Sequence, residues 1–409
     1  MKTIGKFLLS LLMVTSISFG AKAQETTSEI QGIVLSGKTG IAGVTIVAIH
    51  EPTGTKYTTS TRQDGRYNFT NVKIGGPYSI TASFVGFKTE TANDINLTLG
   101  QAHRQNFTLT ETSNTLKEVV VRSGSDRVFS ANRTGGQETI NRKLIEGTPT
   151  TSRSWRDITK LVPSANGTSF QGISSQLNNI TIDGANFNNS FGLASDIGGQ
   201  AGAQAISLDA IEQIQVNTSP FDVKYGGFNG AGINSVTRSG KNQTFGSVYQ
   251  YFKNKDWQGY DIGSTHFAKA PFEYDLKGFT AGGAIVKNKL FFFLNGEQES
   301  NTVPGTSWVA ADASNVPNGT TVSQAKAADL DALASFLKSK YSFDPGPYQG
   351  YTYASASKRL TAKIDWNINA NNTFTIKYNY LKSYAEIPPS NSGAANTSIG
   401  RRPGNTAMP

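Results

Sequence analysis

The chain has no cysteine, and only three histidines and three methionines among its 409 residues. Without cysteine there is no disulfide, no thiol nucleophile and no thiolate metal site. The histidines, His50, His103 and His266, fall in separate regions. No H-E-x-x-H, paired zinc spacing or G-x-S-x-G motif appears, so each histidine reads as a surface or strand residue. No catalytic residue, metal or cofactor is expected, and the chain does not read as an enzyme. Charge blocks are also absent. The formal net charge is +9, and without Lys2, Lys6 and Lys22 the balance is 35 basic to 29 acidic residues. No basic stripe interleaved with aromatics occurs, which argues against a nucleic-acid partner. Beyond the N-terminus no segment approaches 18 consecutive apolar residues, so no transmembrane helix is expected. The mean hydropathy of −0.34 would suit a soluble protein. That inference fails for membrane β-barrels, whose strands alternate apolar and polar residues.

What the chain does have begins with an export signal. Lys2 and Lys6 precede the apolar run Phe7-Leu8-Leu9-Ser10-Leu11-Leu12-Met13-Val14, and Ala21-Lys22-Ala23 offers small residues to a signal peptidase. The apolar run is too short to span a bilayer, and cleavage after Ala23 would leave Gln24 first. The mature chain is then rich in turn formers and aromatics, with 42 Gly, 23 Phe and 15 Tyr.

Residues 24–115 form the first module. Short strands (Gln31–Val34, Val44–Ile49, Tyr78–Ala82) alternate with turn clusters such as Gly37-Lys38-Thr39-Gly40 and Asp64-Gly65. This spacing predicts a small β-sandwich, in which Asp64-Gly65 closes a hairpin and Tyr67 and Phe69 share one face. The segments Gly32-Ile33-Val34, Ile41-Ala42-Gly43-Val44, Thr61-Arg62-Gln63-Asp64-Gly65-Arg66-Tyr67 and Tyr78–Phe87 resemble the carboxypeptidase-regulatory-like, or transthyretin-like, domain. Nothing in it supports peptidase chemistry.

Residues 126–240 resemble the plug domain of TonB-dependent receptors, through four blocks in family order. Trp155-Arg156-Asp157-Ile158-Thr159-Lys160-Leu161-Val162-Pro163 matches a helix running into an L-x-P turn. Asn179-Ile180-Thr181-Ile182-Asp183-Gly184-Ala185 matches the central strand and turn. Ile211-Glu212-Gln213-Ile214-Gln215-Val216 with Tyr225-Gly226-Gly227 matches "I-E-x-I-x-V…Y-G", and Gly230–Gly240 matches the closing "G-G-x-I-N-x-x-T-[KR]-x-G" strand. Asp183, Gly184, Tyr225, Gly226, Gly230 and Gly232 are expected at plug turns. These glycines lack a Walker lysine or Rossmann spacing, so tight turns and close packing explain them better than a phosphate cradle. Two departures, Asn217-Thr218-Ser219-Pro220 in place of a K-G-P turn and Asp222-Val223-Lys224 before Tyr225, the latter resembling the Oar-like branch, argue against equating the chain with a siderophore receptor.

Between the two modules, in a linker at 116–125, lies Leu116-Lys117-Glu118-Val119-Val120-Val121. An apolar, β-branched hexamer without a hairpin partner reads either as a strand of a neighbouring domain or as an edge for another protein's sheet. It resembles the TonB box of outer-membrane receptors of the Bacteroidota, and that resemblance makes the TonB complex the expected partner.

Residues 241–409 alternate apolar and polar side chains. Ala362, Ile364, Trp366 and Ile368 interleave with Thr361, Lys363, Asp365 and Asn367. Phe374, Ile376, Tyr378 and Tyr380 do the same after the turn at 369–372. Five strands are expected at 243–254, 272–287, 289–299, 358–369 and 372–385, with a helix at 323–340 carrying Leu330, Leu333, Phe336 and Leu337 on one stripe. Strands of about ten residues with an aromatic-rich apolar face suit a transmembrane barrel in outer-membrane lipid. Five strands cannot enclose a plug, since plugged barrels have about 22, so the chain is expected to be the N-terminal part of a longer receptor.

The fold class is therefore mainly β: a sandwich, an α+β plug and the first strands of a barrel. The resemblance implies an outer-membrane receptor with a periplasmic N-terminal domain, serving active uptake or export gating, with an extracellular ligand such as an oligosaccharide or peptide. The alternative is a surface carbohydrate-binding or adhesion protein built on the sandwich, which would need neither a plug nor a TonB box.

Overall fold

A computed structural model describes residues 26–112, 136–189, 194, 196–219, 226–263, 265–266, 271–305, 308–318, 322–369 and 372–386. The signal residues Ala21, Ala23 and Gln24, the hexamer Leu116–Val121 and Tyr225 lie outside the described residues.

The first module is a two-sheet sandwich. Its strands are β1 (Thr27–Ser36), β2 (Thr39–Gly40), β3 (Thr45–His50), β4 (Thr55–Ser60), β5 (Arg66–Lys73), β6 (Gly75–Ser83), β7 (Glu90–Leu97), β8 (Ala102–Arg104) and β9 (Phe107–Thr108). One sheet runs β2-β1-β5 with β8 and β9 also on β1, and the other runs β4-β3-β6-β7. Period-two alternation turns Ile46, Ala48, Tyr78, Ile80 and Ala82 of one sheet against Ile30, Val34, Tyr67 and Phe69 of the other. The Asp64-Gly65 turn corrects the sequence reading. It joins β4 in one sheet to β5 in the other, so it is a crossover and not a hairpin. Gly65 has φ +77, and a Cβ there would stand 2.7 Å from the Val34 carbonyl oxygen, which is why the crossover needs glycine.

The plug follows with β10 (Gly136–Asn141), helices Arg142–Gly147 and Trp155–Thr159, a small hairpin of β11 (Ala165–Asn166) and β12 (Ser169–Phe170), β13 (Asn179–Ile182), β14 (Ala185–Asn186), β15 (Ile211–Ser219) and β16 (Gly232–Thr237). Its mixed sheet runs β10-β15-β16-β13-β14, with β13 and β16 parallel. Every residue of β13 and β16 is buried, as expected for central strands covered on both faces.

The third module is an antiparallel meander, β17-β20-β21-β24-β25. The strands are β17 (Phe245–Asn254), β20 (Glu273–Val286), β21 (Leu290–Pro304), β24 (Thr352–Asn369) and β25 (Asn372–Ala385). Two small pairs sit in the long connections: β18 (Asp261–Ile262) with β19 (Thr265–His266), and β22 (Val309–Ala311) with β23 (Val322–Lys326). β21 and β24 run past the predicted ends, because their ladder continues unbroken from Leu290↔Trp366 to Pro304↔Thr352. Each strand satisfies the backbone of the other, and no turn signal stops them. The predicted helix is also corrected. It spans Ala327–Tyr341, while the preceding residues from Val322 to Lys326 pair in β23. Its apolar stripe is not covered: none of its residues is buried, and Leu333 and Phe336 are about half exposed.

The meander's two faces differ as the alternation requires. Ile364, Trp366, Ile368, Phe374, Ile376, Tyr378 and Tyr380 face away from the plug and are exposed, whereas Lys363 and Asp365 are buried on the plug side.

Two outcomes are expected. Residues 24–115 expressed alone should give a β-type circular dichroism spectrum and a cooperative melt, and Ile80→Ala should lower stability by about 2–5 kcal/mol in denaturant titration; a random-coil spectrum would refute an autonomous module. Ile364→Lys should cost about 2–4 kcal/mol of folding free energy in bilayers if this face meets lipid near the midplane. A neutral result would mean that the strand does not lie in a bilayer.

Candidate functional site at the junction of plug, barrel wall and sandwich

The Asp183-Gly184 turn is the centre of the site. With φ +47 and +79, these two residues link β13 to β14 in the left-handed conformation that two-residue hairpins require. The sequence reading made Asp183 a turn residue; its carboxylate also does something else. It accepts hydrogen bonds from the Thr237 backbone N–H at 2.7 Å and hydroxyl at 2.5 Å, closing β13 against the end of β16. It also accepts from the Lys377 ammonium of β25 at 2.8 Å, and that ammonium reaches the Ile182 carbonyl at 3.2 Å. From β24, Lys363 Nζ lies 3.3 Å from the Thr237 hydroxyl and 3.4 Å from its carbonyl.

Lys363 and Lys377 are directly paired across the barrel ladder. Like charges opposite one another destabilise a sheet, so the two lysines need nearby carboxylates. Asp183 supplies one and Asp365 the other, Asp365 lying 4.0 Å from Lys363 and accepting from Thr375 at 2.8 Å. Burial pushes the Asp183 carboxyl up. The charges of Lys363 and Lys377, with the hydrogen bonds from Lys377 and Thr237, outweigh that and hold it below its ordinary value. Lys363 and Asp365 therefore do more than make the inward face polar: Lys363 bonds the plug at Thr237, and Asp365 balances the charge of Lys363.

A second tie lies further along the same wall. Ser207 of the plug donates to Glu297 at 2.6 Å, and Tyr249 donates to the same carboxylate oxygen at 2.8 Å. Arg359 pairs with Glu297 at 3.0 Å and Glu299 at 2.7 Å, and the Arg359 and Glu297 side chains are each only 2% exposed. Arg153 of the plug pairs with Asp209 and lies 4.5 Å from the centroid of the Tyr251 ring on β17.

The sandwich seats beneath the plug at the end of the meander where the turns are short. Gln213 of β15 accepts from the Leu99 N–H at 2.9 Å and donates to the Leu97 carbonyl at 3.0 Å. Gln215 donates to the Leu99 carbonyl at 3.1 Å. Ile74 and Leu99 bury themselves against Val236 of the plug. Asn367, beside the second short turn, donates to Thr55 at 2.9 Å, and the Asn242 N–H donates to the Pro52 carbonyl at 2.7 Å. Where the three modules meet lies a half-open cavity of about 420 Å³, lined among others by His50, Lys73, Asp183, Lys241, Lys363 and Asp365. Burial, then the charges of Lys73 and Lys241, push the His50 imidazole down to about 3, so it is neutral at physiological pH.

The remaining plug residues of the sequence reading divide. Gly184 occupies the expected turn. Gly226 does not take the positive φ; Gly227 does, at +79, because the bend falls one residue later. Gly232 is not in a turn but opens β16, where a Cβ would meet the Phe228 ring at 2.8 Å. Gly230 precedes that strand, and a Cβ there would meet the Asn178 side-chain oxygen at 2.3 Å. Both glycines serve close packing. Sequence reasoning missed Lys377, Glu297, Arg359, Gln213 and Gln215. Gln213 and Gln215 did leave a signal: polar residues at alternate positions in an otherwise apolar strand, which marks a face needing hydrogen-bond partners.

With this geometry in place, comparison with known proteins yields three family matches. Residues 29–110 match the Carboxypeptidase regulatory-like domain, residues 130–233 the TonB-dependent Receptor Plug Domain, and residues 236–407 an Outer membrane beta barrel domain. The TonB-dependent transporter Oar of Myxococcus xanthus is 25% identical over 305 residues, covering 69% of this chain and 28% of that protein. The chain thus spans about a quarter of the length of this curated relative. Among solved structures, the siderophore receptor PirA from Acinetobacter baumannii aligns over 62% of this chain and 32% of its own, at 15% identity and TM-score 0.38. The outer membrane transporter YddB from Escherichia coli aligns over 62% and 33%, at 14% identity and TM-score 0.41.

Asp183→Asn should loosen the plug, because it leaves Lys377 and Lys363 facing one carboxylate; breaking such a buried pair costs about 3–5 kcal/mol. The expected readout is an earlier plug transition in urea, followed through the fluorescence of buried Trp155. Since the folded carboxyl lies below its ordinary value of 3.8, its contribution is complete above that pH and fades as pH falls further. The variant should lack this acid-dependent part of the loss; an unchanged transition and unchanged acid limb would refute the tie.

Proposed function

We infer that this chain, which belongs to the TonB-dependent receptors of the outer membrane, serves active transport of an extracellular ligand, with energy delivered by the TonB complex in the periplasm. The observation that carries this reading is the plug's attachment. A mixed sheet is held on the inward face of an apolar-outside meander by a few polar ties and not by a continuous apolar interface. Apart from Phe245 and Phe293, the plug's main apolar cluster is built from its own residues. A plug held in this way can shift when a limited set of hydrogen bonds and ion pairs is exchanged for water. In this orientation the sandwich lies on the periplasmic side with the short turns, and the long connections face outward. An extracellular ligand would meet those outer connections first.

The hexamer Leu116–Val121 is assigned here as the TonB box. Its support is its place between sandwich and plug and its β-branched composition, which favours an extended strand whose backbone can add to another sheet edge. Signal cleavage after Ala23 and a module order of 24–115, 116–125, 126–240 and 241–409 belong to the same proposal. The adhesion reading explains the sandwich but gives the plug no task.

Val120→Pro removes a backbone N–H that strand addition needs. In calorimetric titration of the full chain with the periplasmic domain of TonB, the variant should lose at least about tenfold in affinity, the equivalent of one or two backbone hydrogen bonds. Its circular dichroism spectrum should match that of the unmodified chain. Equal affinity in the two proteins would return the hexamer to an ordinary strand of a neighbouring domain.

A further inference from the structure

The cavity between sandwich, plug and barrel wall has an unbalanced charge inventory. Among the described residues three carboxylates line it, and each has a cation within 4.0 Å, that of Glu212 being Arg238 just outside the lining. Asp183 pairs with Lys377 at 2.8 Å, Asp365 stands 4.0 Å from Lys363, and Glu212 stands 4.0 Å from Arg238. Two further ammonium groups line the same cavity, Lys73 at the end of β5 and Lys241 between β16 and β17. Among the described residues, neither has a salt bridge or a side-chain hydrogen bond. Both are partly buried, so water does not fully replace the missing partner. Burial lowers the Lys73 ammonium, with the charges of Lys363 and Lys241 acting in the same direction against Asp365 and Glu212. The one histidine of the cavity, His50, is neutral and hydrogen-bonded to Thr53 at 2.6 Å, and it supplies no counter-charge.

We propose that this cavity is an anion site taking a phosphate-type oxyanion, held between Lys73 of the sandwich and Lys241 of the plug-to-barrel connector. Two surplus ammonium groups call for a dianion, which a single carboxylate is not. Lysine provides compact charge with freely rotating donors, which suits a tetrahedral anion. Thr26, Thr27 and Thr373 line the same space, and their hydroxyls can complete its hydrogen bonds, while Ser239 is engaged with Asp365. The 420 Å³ volume accommodates the anion with accompanying water. Bound there, the anion joins a sandwich residue to a connector residue and strengthens the seating of the sandwich. The source is either free phosphate or the phosphate of a lipid headgroup, and the chemistry recognised is the same. The site stands independently of transport.

The test uses the full chain in neutral detergent, free of phosphate, titrated calorimetrically with inorganic phosphate against sodium chloride at equal ionic strength. One saturable phosphate site is expected. Lys73→Gln and Lys241→Gln should each weaken it at least about tenfold, the scale of one lost charge-assisted hydrogen bond. Lys241 lies in a connector, so its variant keeps the test valid should Lys73→Gln fold poorly; the melt of each variant checks this. Phosphate heats indistinguishable from those of chloride, or equal affinity in a folded Lys241→Gln variant, would overturn the proposal. Repeating the titration in nanodiscs of anionic phosphatidylglycerol and of zwitterionic phosphatidylcholine separates the sources. Loss of phosphate binding only in the anionic discs identifies a headgroup as the occupant, and equal binding in both identifies free phosphate; each supports the site.

Discussion

Asp183 is where a hairpin turn, two plug strands and the barrel wall meet, and the seating of the plug depends on its carboxylate. The turn needs a residue that tolerates positive φ, and aspartate is among the few that do. The same side chain closes β13 against Thr237 and offers its remaining charge to Lys377. That charge in turn lets Lys363 and Lys377 stand opposite each other on neighbouring strands. Local conformation, sheet closure and interdomain electrostatics thus converge on one residue. A neutral residue in the turn would leave two ammonium groups confronting each other across the ladder.

The other ties share a property that suits a plug. They are polar, few and mostly buried: Ser207 with Glu297 and Arg359, Arg153 with Asp209 and Tyr251, and Gln213 and Gln215 with the sandwich backbone. Apolar interfaces resist displacement in proportion to the area exposed to water. A hydrogen bond or ion pair exchanged for water changes free energy by much less, provided water can enter as it opens. The sandwich is attached in the same manner, and among the described residues its buried apolar contact with the plug is Ile74 and Leu99 on Val236. The sandwich and the plug each have their own apolar core, and the junctions described here are made mostly of polar contacts.

Much of this was legible in the chain itself. Alternation fixed the faces of β24 and β25, because a strand has only two sides and one of them must be apolar next to lipid or core. Turn chemistry placed the Asp183-Gly184 hairpin. The errors came where a local signal has two physical readings. Asp64-Gly65 marks a tight turn, and tight turns serve a hairpin or a crossover equally well. The stripe on the helix Ala327–Tyr341 has helical period, yet period alone does not provide a surface to cover it.

The sequence by itself determined the order of the modules, most of the strand pattern and the Asp183-Gly184 turn, since these depend on neighbours a few residues away. Tertiary structure alone decided what the polar residues do. Lys363, Asp365 and Lys377 are only inward-facing charges until the plug arrives from nearly two hundred residues earlier to give them Asp183. Gln213 finds the Leu97 carbonyl more than a hundred residues away, and Lys73 meets Lys241 only where three modules border one cavity. A charge acts over a few ångströms and a hydrogen bond over three, so their partners depend on distance in space, and a linear pattern does not encode that.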